Sequence, residues 1–564
     1  MTKMLKPVGL LALVMAMMLV LAACGAQTDD APAADDPPST ADPAPSDSSD
    51  SDDDADGRYG GDFLIGMGGS PQNLNPLVWL AQDNWHHFYH VYDSLFRLDE
   101  NLEPQGQLVE SWDISDDGLT YTLRLKQGVL FHDGEPMTAE DVAFTFYGHL
   151  NPAVNSALRT DLRMLVGWDE LTDIDNPADP DDLDVKPVEI VDDHTVVIRL
   201  ENPFAPFLTI IASPRFAIAP KHIMESEADL NVSVTNREPV GTGPWKLVEW
   251  LDDERVVYEA FEDYHDGRAF FDRMVYRIIP EEALRISELE AGAVHFVGQP
   301  TAIHWRRLVD HPEVEALIAN DELTMRVFTI NHMTPELQDI RVRRALMHAF
   351  DSEELVEGLN DGFGSISGGP IGPASWAYHP DTTQYEFSPD RARELLAEAG
   401  YSDGDLQFEL VTGNTGPSVA FGELAQERYR EVGIDISLAQ LDSVGQAERR
   451  NTGNFDLVYV SWSGSPDPHP NFNRRHHSQG GSNVGKYSNP RVDELIEMAV
   501  ATSDIDQRKA LYAEYQEIVT EEVADVFLYH PVRFYAHRQE VTNFFLTPVT
   551  EHPVEWFHEA YFVE

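Results

Sequence analysis

Residues 119–142 read LTYTLRLKQGVLFHDGEPMTAEDV, and the way this stretch divides decides the fold class. From Leu119 to Leu125 apolar and polar side chains alternate, with Thr and Tyr among them, the period of a half-buried strand. Gly128 supplies a turn into Val129-Leu130-Phe131, and Gly134 supplies another. Thr138 then stands as an N-cap before Ala139-Glu140-Asp141, whose carboxylates complement the helix dipole, so a helix is expected to about Leu150. Strand, turn and capped helix in succession predict an α/β protein.

The same signals recur outward along the chain. His194 to Leu200 and Phe455 to Val460 read as strands, and 417–441 reads as a helix followed by a strand. Ser388-Pro389 opens a helix whose Ala392, Leu395, Leu396 and Ala399 share one face, with Gly400 as its C-cap; Val492, Leu495, Ile496 and Ala499 repeat the spacing after Pro490. Such stripes mark core. At 564 residues the chain exceeds what one hydrophobic core holds, so at least two lobes built on mixed sheets are expected.

Lys3 and Lys6 precede an apolar run from Val8 to Ala23, the layout of a signal peptide over 1–23. The run ends in Leu21-Ala22-Ala23-Cys24-Gly25, which resembles the lipobox of bacterial lipoproteins. Cys24 is the single cysteine, so an intramolecular disulfide is impossible and lipidation gives the thiol a purpose. Residues 24–57, rich in Ala, Pro, Ser and Asp, predict a disordered acidic linker. The chain is expected to be extracytoplasmic and held to the cell membrane through this anchor alone.

A net charge of −59, from 98 acidic and 39 basic residues, excludes a nucleic-acid partner, because phosphate neutralisation needs a surplus of Lys and Arg. Only eight of the basic residues are Lys. The balance suits a salty habitat, and equally an ordinary acidic secreted protein.

Three blocks resemble the family of extracellular solute-binding proteins that serve oligopeptide, dipeptide and nickel ABC importers. The first runs from Tyr92-Asp93-Ser94-Leu95-Phe96 through Glu110-Ser111-Trp112 to Phe131-His132-Asp133-Gly134-Glu135 and Thr138-Ala139-Glu140-Asp141-Val142. The second is Val240-Gly241-Thr242-Gly243-Pro244-Trp245 with Tyr264 and Arg285 to Phe296, where His295 stands in place of the usual Asp. The third is Asp339 to Leu346. The resemblance implies a two-lobed clamp of the large, type II periplasmic-binding-protein class, with lobe one at 58–325, lobe two at 326–527 and a return to lobe one at 528–564. It also implies hinge closure on a solute, an ABC permease with its ATPase as partner, and a monomer.

The segment Trp462-Ser463-Gly464-Ser465-Pro466-Asp467-Pro468 is similar to the family's ligand segment, shorter by one residue, with Ser465 near the position that usually holds an Asp. Candidate ligand residues are therefore Trp462, Ser463, Ser465 and Asp467, joined by Asn414 in the loop 411–416, Asn75, Asn483, and Asn331 and His332 at an expected lobe crossing. The loop lacks the arginine that dipeptide binders of the family place nearby. Mostly uncharged polar groups favour a neutral or extended ligand held by many hydrogen bonds; the resemblance implies an oligopeptide or dipeptide-like solute, with an opine, an oligosaccharide, a nickel complex, or a surface receptor without transport as the alternatives.

Other patterns point elsewhere and fail. Gly480 to Lys486 has phosphate-loop spacing, but Tyr487 replaces the magnesium-binding hydroxyl. His86, His87 and His90 have metal-ligand spacing beside Trp85, Phe88 and Tyr89, which suggest a half-buried helix. The aspartates of 171–184 lack the glycine and terminal glutamate of a calcium loop. Neither a zinc-protease nor a nucleophile-elbow motif occurs, so no enzyme activity, cofactor or resident metal is expected.

Overall fold

The computed structural model describes residues 58–564 apart from 79–81, 100, 157, 320–322, 367, 415, 547–554 and 564. The signal peptide, Cys24 and the acidic linker thus lie outside the described residues. Among the described residues no helix is long and apolar enough to cross a membrane.

Three sheets carry the chain. Antiparallel strands Val109–Ile114, Thr120–Leu125, Thr195–Arg199 and Val188–Asp192 form a four-stranded sheet, in that order. Helix Ala139–Leu150 packs on it through Val142 and Phe146. Thr138 closes a capping box, with its backbone N–H donating to Asp141 Oδ2 at 2.9 Å, as the spacing predicts. Helix Pro389–Ala399 starts on Ser388 and stops at Gly400 as expected, and helix Pro490–Val500, expected after Pro490, is capped by Asn489. The 129–131 segment is no strand; it makes one isolated bridge, Leu130 to Pro136.

A seven-stranded mixed sheet has the order Val314–Ala319, Arg533–Arg538, Phe296–Gly298, Asp62–Met67, Arg273–Ile278, Arg255–Ala260, Trp245–Leu251. A five-stranded sheet has the order Ile434–Leu441, Leu406–Gly413, Leu457–Trp462, Met325–Ile330, Asp525–Tyr529. Its first three strands are parallel and the strand 325–330 runs against its neighbours. The chain passes between these two sheets twice, over 319–325 and 529–533. Both passages are flanked by paired strands: Ala319 faces Arg533 on one side and Arg326 faces Tyr529 on the other.

The first two sequence blocks meet at one buried carboxylate. Asp93, 1% exposed, accepts from Gln107 Nε2 at 2.5 Å, His265 Nε2 at 2.9 Å, Thr242 Oγ1 at 3.1 Å and Tyr264 Oη at 3.2 Å. Gly241 and Gly243 lie so close to the 90–91 backbone that a Cβ would fall 2.0 Å from the Val91 carbonyl oxygen and 2.7 Å from that of His90. The motif is thus a packing joint.

Burial alone would lower the His265 imidazole, but hydrogen bonds and charge from Asp266 and Asp93 override it and hold the pKa up at about 9. A group raised from 6.5 to about 9 on folding contributes stability that is complete below pH 6.5 and lost as pH rises through 9. That contribution is on the order of 3 kcal/mol. The melting-temperature gap between wild type and His265→Gln should accordingly be widest near pH 6 and shrink steadily toward pH 10; a flat gap in a thermal scan series would show that the imidazole is not charged.

Candidate functional site

The carboxyl ends of strands 406–413, 434–441 and 457–462, the start of 325–330 and the end of 525–529 share one edge of the five-stranded sheet. In open α/β sheets this edge is where ligands are met. Here it is also the edge from which both passages leave.

Trp462 ends its strand at that edge, and Gly464, two residues on, lies against Leu323. Gly464 packs so tightly on it that a Cβ would lie 2.0 Å from Leu323 Cβ. Trp462, Ser463 and Ser465 line a cavity with Leu323, Met325, Asn471 and Arg475. The Arg475 guanidinium lies 5.1 Å from the Trp462 ring centre. Ser465, Asn471 and Arg474 also line an adjoining cleft whose other wall is Leu158, Asp161, Thr209, Ile210, Ser213 and Arg215, next to the four-stranded sheet. The walls already touch: Arg474 pairs with Asp161, Ala205 N–H donates to the Val500 carbonyl at 2.9 Å, and Phe204 meets His469 edge-on at 5.3 Å.

Arg475 is 5% exposed, and burial lowers its pKa against the pull of Asp525 and Tyr515. Asp525 in turn holds His476 Nε2 at 3.1 Å. Tyr89, buried near Arg215 and Arg533, has its hydroxyl pushed far above its ordinary pKa by burial despite both arginines.

The sequence candidates divide sharply. Asn414 is exposed at the same edge, just past the strand 406–413, with its N–H on the Leu441 carbonyl at 3.1 Å. Asp467 lines the adjoining cleft, but it is 4% exposed and its oxygens are already occupied: they bind Arg508 Nη1 at 2.7 Å and Nη2 at 2.9 Å and cap His469 N–H at 2.9 Å. Asn331 and His332 are corrected, since they sit at the opposite end of the strand 325–330 from the passage, roughly 17 Å away by strand rise. Asn331 Nδ2 binds the Phe455 carbonyl at 2.8 Å, and His332 Nε2 binds that of Ala524 at 2.9 Å. Burial lowers the His332 pKa to about 4. Asn483 staples its own loop, through Tyr487 O at 2.7 Å, and Asn75 ties Leu230 O at 2.7 Å to Asn236 Oδ1 at 2.8 Å. An asparagine with both amide hydrogens and its oxygen occupied holds a loop rather than a ligand.

Reading the sequence misses Asp161, Arg215, Asn471, Arg474 and Arg475. Consecutive arginines directly after the Trp462 segment, in so acidic a chain, were the available signal. Elsewhere, His87 Nδ1 and His90 Nε2 are taken by the hydroxyls of Tyr258 at 2.8 Å and Tyr276 at 2.6 Å, and burial drops His90 to about 3. In the aspartate loop, Asp173 and Asp179 cap backbone N–H groups at 2.9 Å. Among the described residues no group of three or more His, Cys, Asp or Glu is placed to hold a metal.

Comparison with known proteins agrees with this architecture. The model for the middle region of bacterial extracellular solute-binding proteins, family 5, matches residues 103–483. The chain is 30% identical to oligopeptide-binding protein AppA of Bacillus subtilis over 84% of its own length and 87% of the relative's. It is 28% identical to heme-binding protein A of Haemophilus influenzae, over 81% and 85%. The structure of the Bacillus subtilis protein in complex with a nonapeptide superposes with a TM-score of 0.73 at 25% identity, covering 90% of this chain and 100% of that one. The two-lobed fold is shared.

Removing one member of a buried ion pair leaves the other uncompensated, at about 3–5 kcal/mol, whereas replacing both with apolar residues is far milder. Asp467→Asn should therefore lower unfolding free energy by roughly 3 kcal/mol, and Asp467→Leu with Arg508→Met should recover most of it in a denaturant titration.

Proposed function

The chain belongs to the bacterial extracellular solute-binding proteins of family 5, and from that membership we propose that it captures a peptide between its lobes and hands it to an ABC permease driven by an ATPase. Lobe one comprises 58–325 and 528–564, and lobe two 326–527. Lipid on Cys24 holds the protein at the outer side of the cell membrane, the acidic linker lets the body stand off from it, and the protein acts as a monomer.

The observation that carries the reading is the juxtaposition of the Trp462–Ser465 segment with Asp161 and Arg215 across the cleft, beside both passages between sheets. Closure by bending at the passages would enclose an extended solute there. Trp462 offers a flat apolar face, the serines offer hydroxyls, and the exposed strand edges offer backbone groups for a peptide main chain. The oligopeptide-binding relative supports the peptide part.

In thermal scans of the full-length chain in detergent, peptides of two to eight residues should raise the melting temperature by mass action, and sugars or haem should not. The opposite pattern would sink the peptide assignment. Trp462→Ala should weaken peptide affinity about tenfold, the scale of a desolvated aromatic contact, while the ligand-free melting temperature stays put. Deleting the cognate permease should abolish uptake of the same peptide; persistent uptake would leave a receptor role instead.

A further inference from the structure

Arg326 is the second residue of the strand Met325–Ile330, immediately after the passage from the seven-stranded sheet. In register it lies between Ser461 and Tyr529, at the cleft-side end of the sheet, with its side chain on the face opposite that of Met325 and Trp462. It is half-buried, its Nε is buried without a hydrogen-bond partner, and among the described residues it joins no ion pair. Its charge reaches the Tyr459 hydroxyl, and Ser461 opposite it is exposed.

Other arginines outside ion pairs are engaged in a different way: Arg159, Arg285, Arg306 and Arg343 donate to backbone carbonyls, and Arg475 lies over the Trp462 ring. With 98 carboxylates against 39 bases, arginines readily acquire acidic partners: Arg255, Arg268, Arg428 and Arg491 each hold two. A partly desolvated guanidinium lacking one is costly unless something completes it. Among the described residues, Asp467 is closed by Arg508, and Asp525, opposite Thr329 in register, lies against His476 and Arg475.

We propose that Arg326 is a specificity-determining residue of the cleft that binds a carboxylate of the solute, so the preferred ligand presents either a free C-terminus or an acidic side chain there. Arginine suits this because its planar fork matches both carboxylate oxygens. The inference rests on the cleft being the solute site and deepens that reading.

The test uses the full-length chain in detergent and titration calorimetry with tetra-alanine, its C-terminal amide, and amidated Ala-Glu-Ala-Ala and Ala-Gln-Ala-Ala. A free carboxylate, from either source, should bind about tenfold or more tighter than its neutral counterpart. The arm that shows the gap identifies the source. Arg326→Gln should erase the gap while leaving the neutral peptide within about twofold; Arg326→Lys should restore part of it, and Arg124→Gln, an exposed charge-matched control, should change nothing. No gap in wild type, or equal losses for acid and amide in Arg326→Gln, overturns the inference and leaves the peptide reading intact. If no peptide binds but glutarate does, and Arg326→Gln loses it, the peptide reading falls and the inference stands. If neither binds, both fall.

Discussion

Two strand pairs fix where everything else in this protein can happen. Ala319 with Arg533 and Arg326 with Tyr529 are paired positions in two different sheets, and the chain between them crosses twice. The crossings are therefore neighbours, starting and ending side by side. Each end of both crossings is locked in a hydrogen-bonded ladder. The Trp462 segment is pressed onto one crossing through Gly464, where any side chain would collide with Leu323. The position of Trp462 is in this way tied to that crossing.

Buried charge explains why few of the buried acids are available to a solute. An ion taken out of water must be met by an opposite charge and by hydrogen bonds. Asp93 meets His265, Thr242, Tyr264 and Gln107; Asp467 meets Arg508; Asp525 meets His476 and Arg475. Each of these carboxylates joins segments far apart in sequence. The acids that line the cleft, Asp161 and Asp467, are each held by an arginine, beside a Trp and serines.

Local rules were legible: the Thr138 box, the Ser388 and Gly400 caps, and the Asn489 cap depend on residues within one helical turn of each other. The ligand groups were not, for a specific reason. Asn75, Asn331 and Asn483 look identical to solute-binding asparagines in sequence, and the first two become staples through partners more than a hundred positions away, at Leu230 and Phe455. Arg326 was hidden by the opposite effect. Set in Met325-Arg326-Val327-Phe328, it reads as one polar position in a strand, and only the sheet order reveals that its end of the strand borders the cleft.

A chain of net charge −59 is at first sight hostile to an anionic solute, but range separates the two effects. Repulsion from dispersed surface carboxylates acts over distances comparable with the Debye length, about 8 Å at physiological ionic strength and about 3 Å at 1 M salt, so it fades as salt rises. A contact between a half-buried guanidinium and a carboxylate is screened far less. Raising salt should then weaken the long-range barrier more than the short-range attraction. An acidic shell around an arginine-lined cleft is thus compatible with capturing carboxylates, and the more saline the medium the less the shell opposes it.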